Sequence, residues 1–525
     1  MSNRLFNVAG PCVPGAHYML DPMRGIGDEL MKLIGSNQYF IIHAARQSGK
    51  TTLLQELVRQ INARGEHYAL YCSLETASIF PDPERGIPAI VKRIKSAFKD
   101  YGLPDGFAAN ADYDDVANVL RSSFTAYCKI LNKPLVVFFD EADSLSDETL
   151  ISFLRQLRDG YVNMGSIPFV RSIALVGMRN LRDYKAQIRP DSETLESASP
   201  FNIVKRSVNL RNFTRAEVAE LYTQHTLETG QVFKSEAVDY VFEKTQGQPW
   251  LVNAIACECV EEITKEDYSI PITQNLADQA IQNLITAWGT HFDSMMSKLK
   301  EPRVRNVIEQ LLLGNGAAID VRSYDYLYTK DVGLIREVGS KIEPANPIYA
   351  EMIVRTLNYS VQQSIKRGYE NYEVPRYMKD GKIDIDFLIA DFQQYWRENS
   401  EMWKSSYRTD YYEYEEAAPH LVIQAFLQRV VNGGGQIIRE MAMGRKRADL
   451  CVVYDGQKYP IELKILQNQK SLTKSLKQVS EYMDKVGSDA GWLVIFDKDD
   501  KKSWDEKIYM KKESFEGKTI TVAGC

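Results

Sequence analysis

Two groups of residues have the types and spacing for phosphate chemistry. In the first, Gly49-Lys50-Thr51-Thr52 follows the apolar run Tyr39-Phe40-Ile41-Ile42 and precedes an apolar-periodic stretch through Leu53, Leu54, Leu57 and Val58. That order reads as buried strand, loop and helix, the context a phosphate-binding loop requires. The backbone N–H groups of Ala45, Arg46, Gln47, Ser48 and Gly49, with the helix start that carries Thr52, would cradle phosphate oxygens. Lys50 would reach the β- and γ-phosphates, and Thr51 would hold Mg²⁺. Downstream, Pro134 opens the run Leu135-Val136-Val137-Phe138-Phe139, which ends in Asp140-Glu141. A buried parallel strand delivers its last residues to the carboxyl edge of a sheet, where ligands bind. Asp140 would hold the Mg²⁺ of bound ATP, directly or through water, and Glu141 would activate the attacking water as general base. One position departs from the pattern G-x-x-x-x-G-K-[ST]: Ala44 stands at the first glycine, and alanine restricts the backbone more than glycine does. The plain alternative is a strand-to-helix turn that happens to carry GKTT.

The second group is Asp449 with Glu462-Leu463-Lys464. Segments 436–442, 448–454 and 459–466 read as strands, the last two joined as a hairpin at Asp455-Gly456. On adjacent antiparallel strands Asp449 and Glu462 can meet at one Mg²⁺. Side chains alternate along a strand, so Glu462 and Lys464 share a face and Leu463 points to the other. The metal would polarise a scissile phosphate and generate hydroxide, while Lys464 would orient that water or offset developing charge. Glu416, at the start of a helix over 416–431, is the expected third acid, with Glu440 on the first strand as runner-up. Arg445, Lys446 and Arg447 would meet a phosphate backbone. Taken alone, Glu-Leu-Lys is more often a hairpin ion pair than a site.

The elements that must position these groups belong to a chain of 525 residues, 44% hydrophobic and 26% charged, with a formal net charge of −6. At roughly 100–200 residues per domain, three or four domains are expected. The charge balance excludes general electrostatic binding of nucleic acid, so such contact must come from local basic patches. No apolar run suits a membrane span, and the N-terminus lacks a charged segment followed by an apolar core. The seven cysteines are scattered, with no C-x-x-C pair, which suits reduced thiols and a cytoplasmic location.

In chain order, a turn-rich lead-in precedes a helix over 28–34. His17 and Tyr18 in that lead-in either stack on an adenine base or pack as a surface loop. His67–Ser73 reads as a strand, Pro81-Asp82-Pro83 as a loop, and 87–101, 113–131 and 152–162 as helices. Arg155 and Arg158 on the last serve either as arginine fingers or as a solvated face. Ser172–Gly177 is another apolar strand, and Arg179 or Asn180 at its exit is the candidate sensor of the γ-phosphate. Thr214 stands three residues before Glu217, as in a capping box, and opens a helix to Leu227; 235–244 is a further helix.

Then comes Gly247-Gln248-Pro249-Trp250-Leu251-Val252-Asn253, opening a helix to about Ile263. Following the two phosphate motifs and the sensor strand, this segment resembles the lid of the AAA-like ATPases related to the STAND and origin-recognition groups, over residues 1–355. The resemblance implies a five-stranded parallel core, a helical lid and a winged helix, and it places Pro249 near the nucleotide. No evident arginine occupies the lid's usual sensing position. Arg303–Leu313, Asp331–Arg336 and Ala345–Ala350 suit the winged helix, which either touches DNA or serves as a packing platform.

Over residues 411–525, the order αβββαβ with Asp449 and Glu462-Leu463-Lys464 resembles the PD-(D/E)XK nuclease superfamily. A helix over 471–486 carries Gln478 and Tyr482, which match a Q-x-x-x-Y element of one branch. Ala448 stands where that superfamily has proline before the motif aspartate.

The expected fold class is therefore α/β: a P-loop parallel-sheet ATPase core (1–205), a helical lid (206–294), a winged helix (295–358), a connector packing on both neighbours (359–410) and a restriction-endonuclease-like domain (411–525). The expected function is an ATP-binding and ATP-hydrolysing switch controlling a Mg²⁺-dependent nuclease, acting on nucleic acid, DNA first, in prokaryotic antiviral defence or mobile-element biology. The alternative is an ATP-dependent switch that binds nucleic acid or a protein partner through an inactive nuclease fold. A further alternative binds ATP without turning it over. Partners would be nucleic acid, a second copy of the chain or another protein, and no membrane.

Overall fold

The computed structural model describes residues 4–145, 147–177, 203–287, 289–312, 319–339, 341–366, 377–379, 382–398, 418–431, 435–443, 446–454, 456–465, 472–497, 499 and 502–525. The chain divides into two compact units, residues 1–304 with 319–350, and residues 305–318 with 351–525.

The first unit is built on helix α1 (Gly27–Gly35), strand β1 (Tyr39–His43), α2 (Lys50–Arg64), β2 (Tyr68–Ser73), α3 (Pro83–Asp100), α4 (Val119–Ile130), β3 (Leu135–Asp140), α5 (Asp147–Val162), β4 (Ser172–Gly177) and β5 (Val204–Asn209). The five strands form one sheet in the order β2-β3-β4-β1-β5, every pair parallel. Strands β1, β3 and β4 are buried at every position, because helices cover both faces; that is why their sequences are continuous apolar runs rather than alternating ones. Tyr39, Ile41, Val137 and Phe139 pack with α3, α4 and α5 on one face. Phe40, Ile42, Val136 and Phe138 pack with α1 and α2 on the other. The register sets Ser73 beside Asp140 and His43 beside Gly177, so these four residues share the carboxyl edge of the sheet.

Three helix starts differ clearly from expectation, and one of them is α5, which begins at Asp147 rather than 152. The Pro81-Asp82-Pro83 triplet starts a helix: Asp82 caps α3 by accepting from Arg85 N, with Pro83 in its first turn, where a missing N–H is harmless. Helix α4 begins at Val119 rather than 113. Asp112 accepts from Asp114 N and Asp115 from the Asn118 side chain, and such local bonds compete with helix formation.

Next come α6 (Arg215–Thr229), α7 (Ser235–Thr245), α8 (Pro249–Cys257) with a π turn over Glu258–Ile263, α9 (Gln274–Ala287) and α10 (Thr290–Met296). The Thr214–Glu217 capping box is formed. They are followed by α11 (Pro302–Leu312), α12 (Tyr324–Val332), an antiparallel hairpin β6 (Ile335–Val338) and β7 (Lys341–Pro344), and α13 (Pro347–Lys366).

The second unit contains the short hairpin β8 (Met378–Lys379) and β9 (Lys382–Ile383), α14 (Ile385–Glu398), α15 (Ala418–Val431), β10 (Gly435–Met443), β11 (Lys446–Tyr454), β12 (Gln457–Ile465), α16 (Leu472–Val486), β13 (Ala490–Phe496), α17 (Trp504–Lys507), β14 (Tyr509–Phe515) and β15 (Lys518–Gly524). Six strands form a mixed sheet in the order β10-β11-β12-β13-β15-β14. Leu388, Ile389 and Phe392 of α14 and Val422, Phe426 and Leu427 of α15 pack on one face with Leu450, Ile461, Leu463 and Val494. Leu476, Val479 and Met483 of α16 pack on the other with Leu493 and Ile495. Helix α14, expected within a connector, thus contributes to this core. Among the described residues no helix is long and apolar enough to cross a membrane, and all seven cysteines are free.

Candidate functional site

Strand β1 ends at the carboxyl edge of the first sheet, and the loop from Ala44 to Gly49 leads directly into α2. Ala44 extends the line of β1, donating its N–H to Gly177 O at 3.3 Å. Positive φ in this loop falls instead on Gln47, at 56°, and Gly49, at 93°. Alanine at the first motif position therefore carries no left-handed strain. Gly49 precedes α2 without capping it through a side chain, an arrangement that suits anion binding by the first amides of a helix. Ser48 Oγ donates to Ala45 O at 2.7 Å.

Lys50 is 8 % exposed and donates from Nζ to the carbonyls of Ala44 and Ala45, each at 2.9 Å. Burial pulls its pKa down, against the pull of Asp140, Glu141 and Asp143 upward. Thr51 Oγ1 donates to Asp140 Oδ2 at 2.9 Å, and Tyr71 of β2 donates to the same oxygen at 3.1 Å. The other Asp140 oxygen accepts from Glu141 N at 3.0 Å. Glu141 takes a left-handed φ of 55°. Burial raises its pKa first, then Asp143 and Asp140, while Lys50 opposes them; a raised carboxylate is the direction a general base needs. Gly177 leaves room for Asp143, whose carboxylate a Cβ there would strike.

These residues fit Mg²⁺-ATP. Uncapped amides and a buried lysine suit the phosphates, and a hydroxyl paired with a carboxylate suits a hard divalent cation. Thr52 Oγ1 accepts from Cys12 N at 3.0 Å, which ties the lead-in segment to α2. Tyr18 is not poised to stack on a base. It is buried, with its ring on Phe6 and its hydroxyl 3.2 Å from His225 Nδ1, because an aromatic cluster of the lead-in and α6 absorbs it. His17 Nδ1 accepts from Val13 N within its own loop. Pro249 lies buried in the first turn of α8, capped by the Gln248 side chain. Arg155 is exposed on α5 and Arg158 half-buried. The sensor candidates Arg179 and Asn180 lie outside the described residues.

In the second unit, Leu463 belongs to the α14–α15 face of the sheet, so alternation turns Glu462 and Lys464 to the face covered by α16. Lys464 Nζ lies 2.8 Å from Glu462 Oε1, and Glu462 is 1 % exposed. Gln478 is half-buried and Tyr482 buried on α16. The β11–β12 ladder runs from Tyr454↔Gln457 to Leu450↔Ile461, which makes Asp449 and Glu462 the next residues on the two strands. Asp449 is described by its backbone alone. On β10, Glu440 falls between the pairs Arg439↔Leu450 and Met441↔Ala448, level with Asp449. Lys446 and Arg447 pair with Met443 and Ala442. Glu416 and Arg445 lie outside the described residues. Among the described residues no group of three or more His, Cys, Asp or Glu side chains is arranged to hold a metal ion.

Residues 29–355 match the family model of an AAA-like domain. The chain belongs to the AAA-like domain family. Residues 384–500, from α14 to β13, match a model described as a domain of unknown function, DUF8371. Among solved structures the chain is similar to the Walker-type ATPase PABY2304 of Pyrococcus abyssi, at 14% identity and a TM-score of 0.47, over 66% of this chain and 99% of that one. It is also similar to the RuvB Holliday junction branch migration motor of Thermotoga maritima, at 11% identity and 0.34, over 63% and 94%. Cdc6p from Pyrobaculum aerophilum follows at 12% and 0.37, over 64% and 93%. No curated protein matches.

The AAA-like domain is thus a nucleotide-binding P-loop ATPase, and residues that sequence reading missed contact its candidate site. Tyr71, on the strand next to β3, helps hold Asp140; only the strand order reveals it. His291, Ser294, Asp331 and Gly333 contact residues 43–47 from far along the chain. No local motif marks any of them.

Proposed function

We propose that the AAA-like ATPase controls a metal-dependent nuclease site in the second unit, acting on nucleic acid, with DNA the first candidate. The observation that carries this reading is the pairing of buried Glu462 with Lys464 at 2.8 Å, with Asp449 and Glu462 the next facing positions beyond the ladder pair Leu450↔Ile461. A buried carboxylate requires cationic company, and Lys464 supplies it here. The order α15-β10-β11-β12-α16-β13, antiparallel twice and then parallel between β12 and β13, supports a PD-(D/E)XK-like arrangement.

Asp449 and Glu462 would hold Mg²⁺, which when bound polarises a phosphodiester and lowers the pKa of its water. Lys464 would offset negative charge developing on the phosphate. Gln478 and Tyr482, on the helix covering that face, would position the substrate strand, and Lys446 and Arg447 would meet its backbone. In the AAA-like domain, Lys50 and the loop amides would hold the ATP phosphates, Thr51 and Asp140 the Mg²⁺, and Glu141 would take the proton of the attacking water. The elements from α11 to α13 would form the winged helix that relays nucleotide state.

The test uses full-length protein with Mg²⁺, with and without ATP, on single- and double-stranded DNA and RNA. Asp449→Ala and Lys464→Ala are each expected to abolish cutting while ATP hydrolysis continues. Cutting that survives both substitutions rules out this site. ATP hydrolysis with no cutting of any substrate supports the inactive-fold alternative.

A further inference from the structure

A buried histidine joins the phosphate loop to Trp250 and Tyr349, both distant in sequence and both in the first unit. His291 of α10 is 2 % exposed. Its Nδ1 bonds Gln47 Oε1 in the loop, and its Nε2 lies 2.7 Å from the hydroxyl of Tyr349 in the first turn of α13. Its ring stacks on Trp250 of α8, with centroids 4.1 Å apart and planes 19° from parallel. A carbonyl oxygen at Gln47 makes Nδ1 the donor, which leaves Nε2 to accept from Tyr349. Burial, with a smaller effect from Arg46, lowers the histidine's pKa to about 3, so this neutral tautomer persists at neutral pH.

The surrounding contacts point the same way. Arg46 donates to Ser294, on the same helix as His291. Gly333, just past α12, lies against Ala45, so closely that a Cβ on it would stand 2.5 Å from the alanine's. His43 Nε2 is 3.6 Å from Asp331 Oδ1. His43, Ala45, Arg46 and Gln47 therefore each meet a residue from 291–333. The loop amides must face the anion when phosphate binds. Gln47, already at a left-handed φ, cannot be re-turned without moving its side chain on His291. The imidazole must then follow or leave a buried N–H unpaired, which is unfavourable.

We propose that His291 is a positioning residue that reads occupancy of the phosphate loop through Gln47 and passes it to helix α8 through Trp250 and to helix α13 through Tyr349. The proposal rests on nucleotide binding by the AAA-like domain and is independent of the nuclease reading.

The test follows Trp250 emission in full-length protein, taken as the difference between wild type and Trp250→Phe, during titration with Mg²⁺-ATP. Calorimetry measures ATP binding separately. The wild-type emission is expected to shift on saturation. His291→Phe retains a ring for stacking but removes both hydrogen bonds, and is expected to lose that shift while still binding ATP. Tyr349→Phe removes one hydroxyl, decides the matter should His291→Phe not fold, and is expected to diminish the shift. A full wild-type shift in either folded variant, or wild-type protein that binds ATP with no shift, overturns the proposal. Wild-type protein that binds no ATP removes the nucleotide site itself, and this proposal with it.

Discussion

The Thr51 hydroxyl donates to Asp140 Oδ2 across 2.9 Å, joining the end of the phosphate loop to the end of β3. With Tyr71 on the same oxygen and Glu141 N on the other, the carboxylate is held in one orientation. Glu141 has no such duty and is expected to serve hydrolysis rather than binding. Glu141→Gln should bind ATP normally and release phosphate about 10²–10⁴-fold more slowly. Lys50→Ala and Asp140→Ala should lose Mg²⁺-dependent ATP binding. Calorimetry beside a phosphate-release assay separates the two classes, and equal hydrolysis by wild type and Glu141→Gln would remove Glu141 from the mechanism.

Gly333 has a φ of 89°, and a Cβ on it would meet the Cβ of Ala45. Gly333→Ala combines backbone strain with overpacking and is expected to destabilise the first unit by about 1–3 kcal/mol. Because the strain falls against the phosphate loop, ATP affinity should fall as well. Denaturant unfolding and ATP titration check both effects; unchanged stability would mean that Gly333 and Ala45 are not in close contact.

Glu217 caps α6 and is gripped by Arg211 through two bonds of 2.7 Å. Arg211 first, with the Thr214 amide helping, lowers its pKa from 4.5 to about 2, against burial. A carboxyl group with a lower pKa in the folded state contributes stability above its unfolded value. That contribution is lost as pH falls from about 4.5 to about 2. Glu217→Gln should cost about 1 kcal/mol at neutral pH and little at pH 2, as read by thermal melts across that range.

His43 and His291 show the opposite acid–base logic with the same outcome. Burial lowers their pKa values from 6.5 to about 4 and about 3. On acidification the unfolded chain takes up these protons before the folded one does, so stability falls as pH drops below about 6.5 and is flat in this respect above it. Replacing His291 by phenylalanine should flatten the slope between pH 6.5 and 4. A slope identical to wild type would show that His291 does not stay neutral in the fold.

Under the proposed nuclease reading, Lys50 and Lys464 are expected to separate ATP control from cutting. Lys50→Ala should alter how ATP governs cutting and leave the chemistry of cutting intact, while Lys464→Ala should abolish cutting and leave ATP hydrolysis intact. If cutting by Lys50→Ala matches wild type both with and without ATP, the two units are not coupled through nucleotide.

Local order carried much of this protein. The run Tyr39–Ile42 reads as a buried strand and Gly49-Lys50-Thr51 after it opens an apolar-periodic stretch, so β1, the loop and α2 were legible from neighbouring residues alone. The same holds for β3 ending in Asp140-Glu141, for the Thr214–Glu217 capping box and for the β11–β12 hairpin, since each depends on propensity and periodicity within a few residues. Tertiary structure decided the rest. Strand order brought Tyr71 to Asp140, and parallel register set Ser73 beside Asp140. The start of α3 at Pro83 and the late start of α4 followed from side-chain caps and turns that outcompete periodicity. Helix packing placed α14 in the core of the second unit. His291 reached Gln47 across a separation of 244 residues. Such contacts depend on which surfaces fit when distant elements pack, and no local pattern records that fit.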